Sequence, residues 1–177
     1  ALLARAFELL AAKVKPQATA AACCAALGRA AGRSELVGGQ VDDLMGEFAR
    51  GDLDQLESIH RRKTGAMFRV SLQLGGLVAA ASDEQLAALD TYGQKIGLAF
   101  QIVDDVLDLQ GDEESMGKHL GKDTALGKLT FPSVLGVDES RRRAGKLIDE
   151  ACGALAVFQS RAGGLDALAR YIVLRTR

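Results

Sequence analysis

The chain has 177 residues, 48% of them hydrophobic and 25% charged, with 22 basic against 23 acidic side chains and a formal net charge of −1. A chain of this length makes one domain and can bury about 70% of its unfolded surface, so no disulfide or metal staple is needed to hold it together. The balanced charge excludes a protein that takes nucleic acid by electrostatics alone, and any anion site has to be local.

Tryptophan is absent, aromatics make up 5%, and proline occurs twice. No alternating Val/Ile/Thr run of strand length appears, which predicts an all-α fold, and residues 1–177 read as a single helical domain without repeats. The sequence opens inside an amphipathic helix, Ala1-Leu2-Leu3-Ala4-Arg5-Ala6-Phe7, with no capping residue before it; an N-terminal stretch is therefore expected to be missing. Pro16 suits the first turn of a second helix that runs towards Gly28 and ends by Gly32. Ser34 is placed to cap a third, passing through Gly38-Gly39-Gln40-Val41-Asp42-Asp43-Leu44 and stopping near Gly51. Asp52 or Asp54 opens a fourth, expected to run unbroken from Leu53 to about Ala80. Ser82-Asp83-Glu84-Gln85 has capping-box spacing and starts a fifth, to about Gln110. Residues 111–129, with four glycines, read as a loop. Thr130-Phe131-Pro132 begins a short helix to about Val137, Asp138 caps another through Ala162, and Gly163-Gly164 separates the last, Leu165 to Arg177.

Cys23, Cys24 and Cys152 are odd in number and lack metal-ligand spacing, which fits buried thiols in a reducing compartment. No apolar run approaches the roughly 18 residues of a membrane span, and no basic segment precedes an apolar one, so a cytoplasmic protein is expected.

The fifth helix carries the sharpest signal, Phe100-Gln101-Ile102-Val103-Asp104-Asp105-Val106-Leu107-Asp108. At about 100° per residue, Gln94, Gly97, Gln101, Asp104, Asp105, Asp108 and Asp112 share an arc of roughly 100°, and the other positions from Leu98 to Leu109 are apolar. A helix apolar over most of its circumference belongs to a core, so an inward-facing row of acids is expected. Asp104 and Asp108 lie one turn apart, where like charges repel, and something cationic should sit there. Oxygen ligands alone favour a hard ion such as Mg²⁺, commonly shared with substrate phosphates. The competing reading pairs these acids with arginines from neighbouring helices. Lys63-Thr64 stands mid-helix before Gly65, which removes a side chain where another group could approach. Lys118 and Lys128 lie in the glycine-rich loop that leaves the aspartate helix, a cationic segment suited to a diphosphate. His60 and His119 read as surface or lid residues, and Arg141-Arg142-Arg143 as a solvated helix face.

The block from Phe100 to Asp108, followed by Gly117-Lys118 and by Gly127-Lys128-Leu129-Thr130-Phe131-Pro132, resembles the second aspartate-rich region of the trans-isoprenyl diphosphate synthases. Gly38-Gly39-Gln40-Val41-Asp42-Asp43-Leu44 and Lys63-Thr64-Gly65 resemble the two preceding blocks of that family, in the same order. The resemblance implies an isoprenoid-synthase-type helical bundle, present as its C-terminal portion. It also implies that Asp104 binds Mg²⁺ directly, with Asp105 and Asp108 as ligands or supporting groups. Lys63, Lys118 and Lys128 would hold an allylic diphosphate, while Thr64 and Gln101 would border the allylic carbon. The implied chemistry is ionisation of the allylic diphosphate, alkylation of isopentenyl diphosphate and loss of a proton, in a homodimer, giving a short-chain product.

The sequence departs from that pattern at its start. The family's first aspartate-rich motif and its earlier basic block for isopentenyl diphosphate do not occur before Ser34, and Asp42-Asp43 is not that motif because position 46 is Gly. The 177 residues alone are therefore expected to be nearly inactive. A non-catalytic subunit of a heteromeric prenyltransferase and an isoprenoid cyclase of the same fold are the alternatives.

Overall fold

The computed structural model describes residues 1–46, 52–115 and 129–175, with side chains at all of these but 46 and 110–115. Among the described residues every regular element is helical. They are α1 (Leu2–Lys13), α2 (Gln17–Ala30), α3 (Leu36–Gly46), α4 (Leu53–His60), a π turn (Arg61–Gly65), α5 (Ala66–Val78), α6 (Asp83–Ser115), α7 (Phe131–Leu135), α8 (Val137–Ala154), a 3₁₀ stretch (Leu155–Ala162) and α9 (Gly163–Leu174).

Local chemistry sets most of the boundaries. Asp52, the first of the two candidates, caps α4 by accepting from the Gln55 amide at 2.9 Å. At the start of α6, Gln85 Oε1 accepts from the Ser82 amide and Ser82 Oγ from the Gln85 amide, which is the reciprocal box expected there. Thr130 and Ser133 form a second such box at α7, with Pro132 in the first turn. Gly136 ends α7 and starts α8 at φ 81°, a conformation costly for any residue with a Cβ.

Several boundaries differ from expectation. The third helix begins at Leu36 and the last already at Gly163. The fourth helix is not continuous: its hydrogen-bond ladder widens to π geometry over Arg61–Gly65. The fifth runs on to Ser115, through Gly111, into what composition marked as loop; positions 116–128 lie outside the described residues. The helix expected from Asp138 to Ala162, here α8, starts from Gly136, stops being α-helical at Ala154, and its 3₁₀ extension breaks at Gln159, whose φ of 52° no right-handed helix permits.

The core lies between α6, α8 and α9. Tyr92, Ile96, Leu98, Ala99 and Ile102 of α6 meet Ala144, Ile148 and Ala151 of α8, with Phe131, Ala169 and Ile172 closing the ends. Tyr92 is fully buried and its hydroxyl donates to the Leu165 carbonyl at 2.7 Å; burial pushes its pKa up to about 12. A smaller cluster, Ala26, Leu27 and Ala30 of α2 against Ala66 and Val70, seats α5 on α2. Cys23 is buried, and Cys24 and Cys152 are half-buried. Burial, helped by the neighbouring Asp166 carboxylate, raises the Cys152 thiol to about 11, and burial also raises Cys23; of the three thiols expected to be buried, Cys23 alone is fully so.

Candidate active site

The site is built where α3, the π turn and α6 meet. Gly39 lets two backbones touch: a Cβ there would stand 2.4 Å from the Lys63 nitrogen and 2.8 Å from its Cα. Gly97 does the same across α6, where a Cβ would come within 3.0 Å of the Gly65 Cα. The glycine after Lys63-Thr64 thus admits α6, as its position suggested. Two ion pairs fasten α3 to the turn, Asp42 with Arg62 and Asp43 with Lys63, and Arg62 Nε also donates to the Ser34 carbonyl at 3.1 Å. Asp42 and Asp43 are therefore counter-ions for the neighbouring basic block.

The π turn presents consecutive residues on different faces, which π bulges often do at functional sites. Lys63 is turned to Asp43, while the Thr64 hydroxyl donates to Gln101 Oε1. Gln101 Nε2 in turn lies 3.5 Å from Asp104 Oδ2. Thr64 of the turn and Gln101 and Asp104 of α6 thus form one polar line across 37 positions of sequence.

The row of acids divides. Taking Ile102 as the centre of the buried face, Leu98, Ala99, Asp105 and Val106 fall within about 60° of it, while Gln101, Asp108 and Asp104 fall at about 100°, 120° and 160° on one side. Asp105 is accordingly buried, at 8% exposure. Its Oδ2 accepts from the Phe131 amide at 2.9 Å and lies 3.9 Å from His60 Nε2. Asp104 has a side-chain exposure of 35%, and Asp108 is exposed. The expectation that the whole row faces inward is corrected: the apolar faces that bury α6 reach Asp105 and stop short of Asp108.

Arg175, just past α9, pairs with Asp104, donates to the Phe100 carbonyl at 3.1 Å and lies 4.1 Å over the Phe100 ring. The arginine-paired reading thus holds for Asp104. Nothing in the local sequence marks Arg175, which acts across 71 positions. Two further expectations are corrected. His60 is not a surface residue: it is 6% exposed and stacks on Phe131, ring centroids 5.6 Å apart. Of the arginine triplet, Arg143 reaches back to pair with the buried Glu57, which also accepts from Arg61 at 2.9 Å. Lys118 and Lys128 lie outside the described residues. Among the described residues no three His, Cys, Asp or Glu side chains gather closely enough to hold a metal ion by themselves, and no helix is long and apolar enough to cross a membrane.

A helical bundle with this junction is the fold of known isoprenyl diphosphate synthases. It superimposes on an FPP/GFPP synthase from Zymomonas mobilis with a TM-score of 0.83, at 35% identity, over 96% of this chain and 57% of that one. It also matches a geranyltransferase from Helicobacter pylori, crystallised with magnesium and isoprenyl diphosphate, with a TM-score of 0.78 at 26% identity, over 96% of this chain and 56% of that one. In sequence it is 44% identical to a dimethylallyltranstransferase of Fischerella ambigua (strain UTEX 1903) over 99% of its own length and 52% of that protein's. The polyprenyl synthetase family pattern matches residues 1–160, and the chain belongs to that family. It spans about half the length of the curated relatives it matches.

Proposed function

We propose that these residues form the allylic-diphosphate side of a magnesium-dependent, short-chain prenyl transfer site, in which a prenyl cation generated here alkylates isopentenyl diphosphate. The observation that carries the reading is the polar line Thr64–Gln101–Asp104, which joins two motif blocks, with the Lys63–Asp43 pair bringing in a third, at one junction of the fold. The donor set fits a hard divalent ion shared with phosphate. Asp104 is paired with the Arg175 guanidinium, which a bound ion would have to displace or share. Asp104 and Asp108 are the two carboxylates that would hold Mg²⁺, and such an ion is commonly bound by one or two carboxylates plus substrate oxygens, so a third protein ligand is not required. When bound, the ion supplies charge stabilisation to the departing diphosphate.

The chain's own residues do the rest. The Lys63 ammonium has three donors, one of which meets Asp43, and it can turn others to diphosphate oxygens as negative charge grows on them. Lys118 and Lys128 are proposed to add to that charge. The allylic C–O bond breaks with its electron pair leaving on the diphosphate. The hydroxyl of Thr64 and the carbonyl of Gln101 offer lone pairs that steady the allylic cation. The isopentenyl double bond attacks, and a proton is lost to restore neutrality. A homodimer is part of the proposal, supported by an apolar stripe on α3, where Val37, Val41, Leu44 and Met45 are all exposed. A cytoplasmic location is also part of it.

The test is thermal unfolding in Mg²⁺, in inorganic diphosphate and in both. Stabilisation is expected only with both present and should vanish in Asp104→Ala. Equal stabilisation by either component alone, or none with both, would overturn the reading. Turnover of dimethylallyl and isopentenyl diphosphates by the 177 residues alone should be negligible, since the family's first aspartate-rich motif does not occur in this sequence.

A further inference from the structure

We propose that Asp105, the middle carboxylate of the row, is a positioning residue and not a metal ligand: it fixes the first turn of α7 against the turn that carries Lys63. The proposal rests on the reading of Asp104 as the cation-holding carboxylate, and separates its neighbour from that role.

The amide inventory of α7 shows what Asp105 supplies. A helix of five residues gains little from its own hydrogen bonds, because nucleation already costs more than one turn returns. Its first amides must be satisfied from outside. Thr130 and Ser133 satisfy each other's amides through the capping box, Val134 donates to the Thr130 carbonyl, and Pro132 has no N–H. That leaves the Phe131 amide, which the box cannot reach, and Asp105 Oδ2 takes it at 2.9 Å in a buried setting. A carboxylate accepting a buried amide makes a charge-assisted bond, roughly twice as strong as a neutral one.

The same oxygen lies 3.9 Å from His60 Nε2, and the His60 ring stacks on Phe131 with an interplanar angle of 21°. Phe131 itself is fully buried. His60 precedes Lys63 by three residues. One buried cluster therefore ties together the helix of the acids, the helix that leads into the turn carrying Lys63, and the first turn of α7. Asp105 sits on the buried arc of α6, on the far side of Gln101 and Asp108 from Asp104, so its carboxylate serves the scaffold while Asp104 and Asp108 remain for a ligand.

Asp105→Asn keeps an oxygen that can accept from the Phe131 amide, whereas Asp105→Ala removes it. Amide exchange of α7 without metal, and Mn²⁺-dependent binding of inorganic diphosphate, should be compared in both variants, in Asp104→Asn and in the parent chain. In Asp105→Ala the Phe131 amide should exchange about tenfold faster, the effect of losing one net hydrogen bond of about 1.4 kcal/mol, and diphosphate affinity should fall. Asp105→Asn should restore both to within about threefold of the parent, while Asp104→Asn should lose the Mn²⁺-dependent binding with α7 exchange unchanged. Loss of Mn²⁺-dependent binding in Asp105→Asn to the level of Asp104→Asn would overturn the proposal, as would unchanged α7 exchange in Asp105→Ala. Should Asp105→Ala fail to fold, a Phe131 amide in Asp105→Asn exchanging more than tenfold faster than in the parent would also count against it. If the parent chain shows no Mn²⁺-dependent binding, the functional reading fails, and the exchange measurements still decide the anchor.

Discussion

Helix α6 makes two kinds of contact along its length. Against α8 its centre is apolar and sealed, with Tyr92, Ile96, Ala99 and Ile102 at exposures of 2% or less and one ion pair, Lys95–Glu150, at the rim. On another side α6 meets the π turn through Gly97 and the Thr64–Gln101 hydroxyl–amide bond, and that turn is held to α3 by the Gly39 contact and two part-exposed ion pairs. The first contact derives its strength from buried area and tolerates modest changes in shape. The second has almost no steric slack in its backbone, but its ion pairs are each worth only about 0–1 kcal/mol at such exposure. Those pairs can therefore be surrendered to a ligand without unfolding the bundle. A rigid backbone crossing with exchangeable counter-ions is what a site that repeatedly binds and releases diphosphate requires.

The hardest test of that contrast is Gly39→Ala. The new methyl would press on the Lys63 backbone at 2.4 Å, and backbone cannot rotate away as a side chain can. A loss of about 3 kcal/mol in urea unfolding is expected, at the upper end of overpacking costs. The Lys63–Asp43 pair should be displaced with it. If Gly39→Ala unfolds like the parent chain, the junction has slack and the contrast fails.

Much of the fold was legible in the sequence because its signals are local. The capping box at Ser82 is written in four residues and the helix start at Thr130 in three, and the structure forms both, the second with a box through Ser133 that the sequence reading did not name. The π turn was not legible, since Arg61–Gly65 has an ordinary helical composition and only Gly65 hinted at a close approach. The run of α6 past Gly111 was missed because one glycine costs a long helix only about 1 kcal/mol. At the site, resemblance gathered Lys63, Thr64, Gln101 and Asp104 on one list, and the geometry brings Thr64, Gln101 and Asp104 into contact. Periodicity alone placed Asp104, Asp105 and Asp108 on one arc but could not show where the buried face ends. That edge is set by α7 and α8, and it separates Asp105 from its neighbours. His60 and Arg175 escaped for the same reason: their partners lie 45 and 71 positions away, at Asp105 and Asp104.

Arg175→Gln sharpens the contrast with a smaller effect. Arg175 combines an ion pair, a carbonyl hydrogen bond and a cation–π contact at 13% exposure, so its loss should cost about 1–2 kcal/mol without metal. With saturating Mg²⁺ and diphosphate, Asp104 has another cation, and the difference between variant and parent should shrink. Denaturant midpoints measured with and without both additives check this; a constant difference would mean that Arg175 supports the bundle and is not a counter-ion that the site exchanges.

The smallest effect comes from the other contact. Gly145 lies inside α8, and a Cβ there would meet nothing within 4 Å. Alanine loses less backbone entropy on folding into a helix than glycine, so Gly145→Ala should stabilise by about 0.5–1 kcal/mol. The same methyl group that breaks the junction at Gly39 should therefore strengthen the bundle at Gly145, with Mg²⁺-dependent diphosphate binding unchanged. A destabilising Gly145→Ala would show that α8 is more tightly constrained than its packing against α6 indicates, and that room for a side chain does not by itself distinguish scaffold from site.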